Sequence, residues 1–255
     1  MAAVPEAPVI IFDWDDTIFP TTEAISSRAV GRRFENIEAN AKELLEMSLK
    51  SGSVYIVTAS VPGWVRESCA EYFPSCLPLL DEITVISARA FYEKHVPLHK
   101  RGSNSKSAYV WKAYTFAGLG SHLVSRSGVH PSCVLAVGDN PWDTQAARVL
   151  HKYLPDTPIK TVQFCLRPSP RDVAHQHQLL TEKLERLLAA EGNIHVQMQR
   201  RIHSQKASDT TFKGDMAFVG VDPTDGSEST AESSCDPDTA SQTSEETSCE
   251  VAPED

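Results

Sequence analysis

Five short apolar runs alternate with longer stretches of helical periodicity, and this alternation constrains the fold more than any other feature. The runs are VIIFD (9–13), SVYIVT (53–58), ITVIS (83–87), CVLAVG (133–138) and IKTVQF (159–164). Continuous apolar runs of this length are typical of strands buried on both faces, and strands that alternate with helices form parallel sheets. The sequence therefore predicts an α/β fold, with a three-layer Rossmann-like sheet of about five parallel strands and helices on both faces.

The last predicted helix runs from Arg171 to Ala190 and carries a stripe of leucines. Leu180, Leu184 and Leu187 recur at helical spacing, and Gly192 follows the helix as a stop signal. We expect this stripe to pack on the sheet; a helix that binds a partner is the alternative. Residues 193–203 fit neither a helix nor a strand clearly.

The charge is distributed unevenly along the chain. Of the formal net charge of −10, residues 204–255 carry −11, from 13 acidic residues and two lysines, so residues 1–203 are close to neutral. The 204–255 stretch is rich in Ser, Thr, Asp and Glu and poor in apolar residues, which predicts a disordered acidic tail after a folded domain of residues 1–203. A near-neutral domain without a basic patch argues against nucleic acid as a partner.

Two further features bear on the cellular location. The N-terminal MAAVPEAPVI has no signal-peptide pattern, and no apolar run approaches membrane-spanning length. The six cysteines have no regular spacing, as expected of reduced thiols. These features predict a soluble cytoplasmic protein without a membrane partner; the nucleus is the alternative location.

Polar side chains follow three of the five predicted strands. They are Asp13, Asp15 and Asp16 after the first strand, Thr58 at the end of the second, and Asp139 and Asp143 after the fourth. Because ligands of open parallel sheets bind beyond the carboxyl ends of the strands, we expect these side chains to converge on one site.

The residue types at these strand ends indicate the chemistry. Carboxylates held close together raise each other's pKa unless a cation balances them, and oxygen ligands without His or Cys favour Mg²⁺. A carboxylate that attacks a phosphoryl group forms an acyl phosphate, and a second carboxylate two residues along can protonate the leaving oxygen and then activate water.

The order of these motifs resembles the haloacid dehalogenase (HAD) superfamily over residues 8 to 190. The matching elements are Asp13-Trp14-Asp15-Asp16-Thr17, the strand-ending Thr58, a later lysine, and Gly138-Asp139-x-x-x-Asp143. The resemblance implies that Asp13 is the nucleophile, Asp15 the general acid and base, and Thr58 a ligand of the transferring phosphoryl group. It also implies a Mg²⁺ site formed by the Asp13 carboxylate, the main-chain carbonyl of Asp15 and Asp139, with Asp143 supporting these ligands.

Two lysines compete for the place beside the phosphoryl group. Lys106 lies next to plausible helix N-caps, Asn104 and Ser105, whereas Lys112 in YVWKAYTF matches the pattern of the family. We predict Lys112, with Lys106 as the alternative.

Two residues of the first motif have open roles. Asp16 stands where many relatives have Gly, and it either caps a turn or adds negative charge near the substrate entrance. Trp14 either packs in the core, which we favour, or stacks on the substrate.

The expected activity is that of a phosphatase without a large cap domain. The second Asp of the first motif is generally absent from the dehalogenase branch, so the presence of Asp15 argues against dehalogenation. The segments between the motifs are accounted for by sheet and helices, and an open site suits a phosphorylated macromolecule, with a phosphoprotein as the first class and a nucleic-acid end as the second. The alternative from another class is a non-catalytic binding module that keeps the fold.

Overall fold

The structure is a computed structural model and describes residues 7–27, 34–103, 107–127, 130–202 and 214–221. Within these ranges seven strands form one sheet in the order β3-β2-β1-β4-β5-β6-β7. The strands are β1 (Val9–Phe12), β2 (Ser53–Thr58), β3 (Thr84–Ser87), β4 (Val134–Gly138), β5 (Ile159–Gln163), β6 (Ile194–Ile202) and β7 (Gly214–Val221). The first six are parallel, and β7 pairs antiparallel with β6.

Seven α-helices connect these strands in the described ranges. They are α1 (Thr21–Ser27), α2 (Glu35–Ser51), α3 (Trp64–Tyr72), α4 (Ala88–His95), α5 (Ala108–Ser127), α6 (Pro141–Ala147) and α7 (Pro170–Ala189). Short 3₁₀ segments lie at Pro74–Asp81, Leu98–Lys100 and Arg148–Lys152. Helices α6 and α7 each begin with a capping box and a proline in the first turn, so their N-terminal N–H groups are satisfied locally.

The hydrophobic core has two parts, one on each face of the sheet. Strand β1 supplies both parts because successive side chains point to opposite faces: Ile10 and Phe12 lie among residues of α2, α3 and α7, and Val9 and Ile11 lie among residues of α4, α5 and α6. This arrangement confirms the predicted three-layer α/β fold. It also confirms that the stripe of α7 packs in the core, where Leu180 and Leu184 are fully buried.

The C-terminal part of the sheet departs from the prediction. Strand β6 covers most of the stretch that fitted neither pattern, and its Val196 and Met198 are buried. Strand β7 falls inside the stretch predicted as a disordered tail, so the domain boundary predicted after residue 203 is too early. The acidic residues around β7 obscure its short apolar run in the sequence. Its pairing partner, β6, was not itself predicted as a strand. The rest of the predicted tail, residues 204–213 and 222–255, lies outside the described residues.

Among the helices of the described ranges, none combines the length and the apolar character needed to cross a membrane.

Candidate active site

Asp13 lies at the carboxyl edge of the central strands. Strand β1 is flanked by β2 and β4, and the ladder with β4 continues one step past β1, where the N–H of Asp13 donates to the Val137 carbonyl at 2.9 Å. The chain then turns, with the N–H groups of Ile18 and Phe19 donating to the Trp14 carbonyl, both at 2.9 Å. The strand pairing therefore fixes the Asp13 carboxylate over the middle of the sheet.

Three buried carboxylates converge at this edge, as the sequence predicts. One oxygen each of Asp13, Asp139 and Asp143 lies within 4.8 Å of the others, and each residue is at most 9% exposed. The α6 capping box holds Asp143, because its carboxylate accepts from the N–H of Asn140 at 3.3 Å. A side chain at Gly138 would collide with the Asp143 carboxylate, which explains why glycine precedes Asp139.

Lys112 is the lysine that the structure brings into this group. Its ammonium, on α5, lies 2.9 Å from Asp13 Oδ1 and also pairs with Asp143, and the residue is 5% exposed. Burial lowers the pKa of Lys112, but the charges of Asp13 and Asp143 outweigh burial and hold that pKa above its ordinary value. The alternative, Lys106, lies outside the described residues.

The Asp13 carboxylate resists ionisation in this buried group. Burial raises the pKa of Asp13 well above its usual range; Lys112 opposes this shift, and the charges of Asp143, Asp15 and Asp139 add to it. With three carboxylates and one ammonium, full ionisation leaves two negative charges, which is the charge that one divalent cation balances.

Asp139 shows the same effect in a milder form. Burial raises its pKa to about 7, with contributions from Asp143 and Asp16, while Lys112 acts in the opposite direction. The donor set at this edge consists of carboxylate oxygens, which fits Mg²⁺ better than a softer metal. Asp15, the remaining predicted ligand, was expected to contribute its main-chain carbonyl, and its side chain is not part of the three-carboxylate group.

The side chain of Asp15 is held by four donors. Its Oδ1 accepts from Thr21 Oγ1 and Trp64 Nε1, both at 2.7 Å. Its Oδ2 accepts from Thr58 Oγ1 and Ser60 Oγ, both at 2.8 Å. Thr58, predicted to bind phosphate, thus donates its hydroxyl hydrogen to Asp15.

Sequence reasoning missed Trp64 and Thr21 as site residues. Trp64 is the first residue of α3, and an indole after a Pro-Gly turn indicates packing rather than hydrogen bonding. Its ring does pack against Phe19, with the centroids 6.4 Å apart. Only the fold shows that its Nε1 points at Asp15.

A second missed contact supports the loop from behind. Thr17 Oγ1 accepts from the N–H of Asp139 at 2.9 Å, and the Thr17 carbonyl lies 2.8 Å from Nε2 of the buried His177 on α7. Burial lowers the pKa of His177 to about 4, so the ring is neutral near pH 7 and its Nε2–H donates to the carbonyl. Helix α7 therefore helps to fix the position of the buried carboxylate Asp139.

The structure shows the contacts of Asp16 and Trp14, the two residues of the first motif whose roles the sequence leaves open. Asp16 has φ 56°, and its carboxylate accepts from the N–H and the hydroxyl of Thr22, so it caps the first turn of α1. This φ lies in the left-handed region, which glycine adopts without steric cost and other residues adopt rarely. Trp14 is fully buried and donates to Ser68 Oγ at 2.9 Å, which confirms core packing.

No family model and no curated protein matches this sequence. One solved structure is similar over the fold: the effector Ceg4 of Legionella pneumophila, at 12% sequence identity and a TM-score of 0.45. The match covers 73% of this chain and 97% of that one. A likeness of this degree leaves the chemistry to be argued from the site itself.

Proposed function

We propose that this protein is a Mg²⁺-dependent phosphatase that hydrolyses phosphomonoesters through an aspartyl-phosphate intermediate. The observation that carries the proposal is the group of three buried carboxylates with Lys112 placed between Asp13 and Asp143. Asp13 can serve as the nucleophile, and Lys112 lies beside it as a cation. The net negative charge of the whole group suits a divalent metal, and phosphoryl transfer requires these features together.

In the first step an Asp13 oxygen attacks phosphorus and the bond from phosphorus to the ester oxygen breaks. Asp15 gives its proton to that oxygen, which leaves as an alcohol. In the second step water attacks the phosphorus of the acyl phosphate, Asp15 takes a proton from the water, and inorganic phosphate leaves while the Asp13 carboxylate is restored. Lys112 lowers the cost of the negative charge on Asp13 and on the phosphoryl oxygens.

Asp13, Asp139 and Asp143 would hold the Mg²⁺, with the Asp15 carbonyl as the further ligand that the resemblance implies. When bound, the metal neutralises charge on the phosphoryl group and helps to orient it. Thr58 would bind a phosphoryl oxygen once its hydroxyl turns from Asp15.

A phosphoprotein is the substrate class we favour. In the described ranges, the chain between β1 and β4 consists of sheet strands, helices and short 3₁₀ segments, with no further domain inserted between them. A site without a cap domain excludes water from the reaction only with the help of the substrate, as a macromolecule can provide. A nucleic-acid end is the second substrate class, and a binding module without turnover is the alternative function.

Phosphate release from 4-nitrophenyl phosphate tests the activity and its metal requirement. Full-length protein treated with a chelator should be inactive, Mg²⁺ should restore turnover, and Ca²⁺ should do so poorly because it prefers more ligands at longer distances. Phosphatase activity that survives the chelator contradicts the metal site. A thermal shift caused by Mg²⁺ without turnover of any ester supports the binding module instead.

Mg²⁺ binding should weaken as the pH falls through 7. A proton competes with the metal for Asp139, whose pKa is raised to about 7, so at pH 6 the apparent affinity should be about tenfold lower than at pH 8. Titration of the unfolding temperature with Mg²⁺ at the two pH values measures this difference without any substrate. Equal affinity at both pH values contradicts the assignment of Asp139 as a ligand.

Removal of the Trp64 donor should impair general acid catalysis selectively. Trp64→Phe keeps a ring against Phe19 but leaves Asp15 Oδ1 with one donor fewer. The Trp64 hydrogen bond stabilises the negative charge that Asp15 acquires as it gives up its proton. Loss of a hydrogen bond to a charged group should therefore lower kcat/KM for an alkyl phosphate about tenfold. The value for 4-nitrophenyl phosphate, whose leaving group needs no proton, should change less than about twofold. An equal loss with both esters would indicate a purely structural role for Trp64.

A further inference from the structure

An open groove with apolar walls begins at the candidate active site. It has a volume of about 520 Å³, starts at Thr58 and extends to strand β3 and helix α4. The aliphatic residues that line it are Val61, Val65, Leu80, Ile83, Val85 and Ile86. Two of them face solvent to an unusual degree for valine, since Val61 is 55% and Val85 41% exposed. We refer to this feature as the β2–β3 groove.

The proposed acid marks the side on which the leaving group lies. Three of the four donors to Asp15 come from the end of β2 and the segment after it: Thr58, Ser60 and Trp64. The carboxylates Asp139 and Asp143 follow β4, on the other side of β1. Because the ester oxygen must approach Asp15 to receive its proton, the leaving group points away from β4 and toward β2.

The β2–β3 groove continues in that same direction. In the sheet order β3-β2-β1-β4, it begins one strand away from Asp13 and runs outward to β3, the last strand on that side of the described sheet. Adjacent strands are about 4.8 Å apart, so a group attached to the ester oxygen reaches the groove within one or two residues of a peptide. The loop carrying Val61 joins the two features, because Ser60 contacts Asp15 and Val61 lines the groove.

The charges around the groove are consistent with an apolar occupant. Two basic residues line the groove, Arg66 and Lys94, and Arg66 is paired with Asp81 at 2.9 Å. Two basic residues, one of them paired, do not form the cluster of positive charge that binding of a nucleic-acid phosphate backbone requires.

We propose that the β2–β3 groove binds the leaving-group part of the substrate, and that this part is a protein segment with an aliphatic or aromatic residue beside the phosphorylated residue. This inference rests on the proposed phosphatase function and gives it a substrate preference. A segment of protein suits the site better than a small metabolite because the groove is open to solvent and lies at the sheet edge, where a longer chain can enter and leave.

The preference is measured with phosphoserine peptides that differ in one flanking residue, leucine or glycine, placed on either side in separate pairs. For the wild-type protein, kcat/KM should be at least about tenfold higher for the better leucine peptide, as expected from burial of one aliphatic side chain. Val85→Asp should reduce this ratio to about one while leaving hydrolysis of free O-phosphoserine unchanged, because a charged residue disfavours apolar groups. Val124→Asp is the matched control, since Val124 on α5 is 38% exposed and does not line the groove; it should keep the wild-type ratio.

Each outcome decides between the two proposals. If the wild type hydrolyses no phosphomonoester, the proposed function fails. If it hydrolyses 4-nitrophenyl phosphate but shows equal kcat/KM for leucine and glycine peptides, the groove inference alone is wrong. Faster hydrolysis of phosphorylated oligonucleotide ends than of every peptide also overturns the inference. If Val85→Asp fails to fold, Val61→Asp on the exposed loop serves the same test. The ratio of kcat/KM between leucine and glycine peptides can in any case be measured with the wild-type protein alone.

Discussion

Asp13→Asn is expected to abolish turnover, with kcat lowered by about a thousandfold or more. The amide has the shape of the carboxylate but no nucleophilic oxygen, so the acyl phosphate cannot form. The fold should persist because the amide fills the same space and Lys112 keeps its second partner, Asp143. Steady-state hydrolysis of 4-nitrophenyl phosphate and the thermal unfolding curve check the two halves of this expectation.

The control for Asp13→Asn is Asp156→Asn, which removes an exposed carboxylate in the turn before β5, away from the carboxyl ends of the strands. It should have wild-type activity. Asp15→Asn should also be severely impaired, yet it should permit attack by Asp13, so a phosphorylated protein should accumulate with a substrate that has a good leaving group. Wild-type activity of purified Asp13→Asn contradicts the covalent route, whatever the outcome for Asp15.

Lys112→Met is expected to cost both activity and stability. The substitution leaves Asp13 and Asp143 without their buried cation, and removal of one partner of a buried ion pair typically costs roughly 3–5 kcal/mol of unfolding free energy. Activity should fall to background because the phosphoryl oxygens also lose a positive partner. Urea unfolding at pH 7 measures the stability loss.

The loss should be smaller in the presence of Mg²⁺, because the metal supplies part of the missing positive charge. Lys183→Met provides the control. Both lysines lie within helices, but Lys183 is exposed and Lys112 is buried. A Lys112→Met protein as stable as Lys183→Met would mean that the carboxylates are protonated in the folded state and that the ion pairs contribute little. Normal activity of Lys112→Met would instead make another lysine, such as Lys106, the phosphoryl partner.

The amino-acid sequence by itself determined the architecture and the place of the carboxylates. Apolar runs such as VIIFD and CVLAVG are too short for helices and too continuous for half-exposed strands, so their pattern predicts a buried parallel sheet. In such a sheet the carboxyl ends of neighbouring strands share one edge. The sequence alone therefore predicts that Asp13 and Asp139, more than a hundred residues apart, meet at this edge, and the structure places their carboxylates together.

The position of Lys112 beside the carboxylates depends on the tertiary structure. Lys106 and Lys112 are six residues apart in the sequence. The local sequence indicates where a helix starts but does not determine which side chain reaches the strand edge. That depends on how α5 packs against its neighbours, which places the Lys112 ammonium beside Asp13.

The surroundings of Asp15 and the end of the sheet depended on tertiary structure for the same physical reason. The indole of Trp64 and the hydroxyl of Ser60 become ligands of Asp15 only where the turn after β2 approaches the loop after β1. Strands β6 and β7 are stabilised by pairing, so composition alone assigned part of them to a tail. The spacing of apolar residues and the residue types along the chain determine which face of a helix or strand is apolar and which strand ends carry charges. Contacts between elements that are distant in sequence arise only when the sheet has assembled.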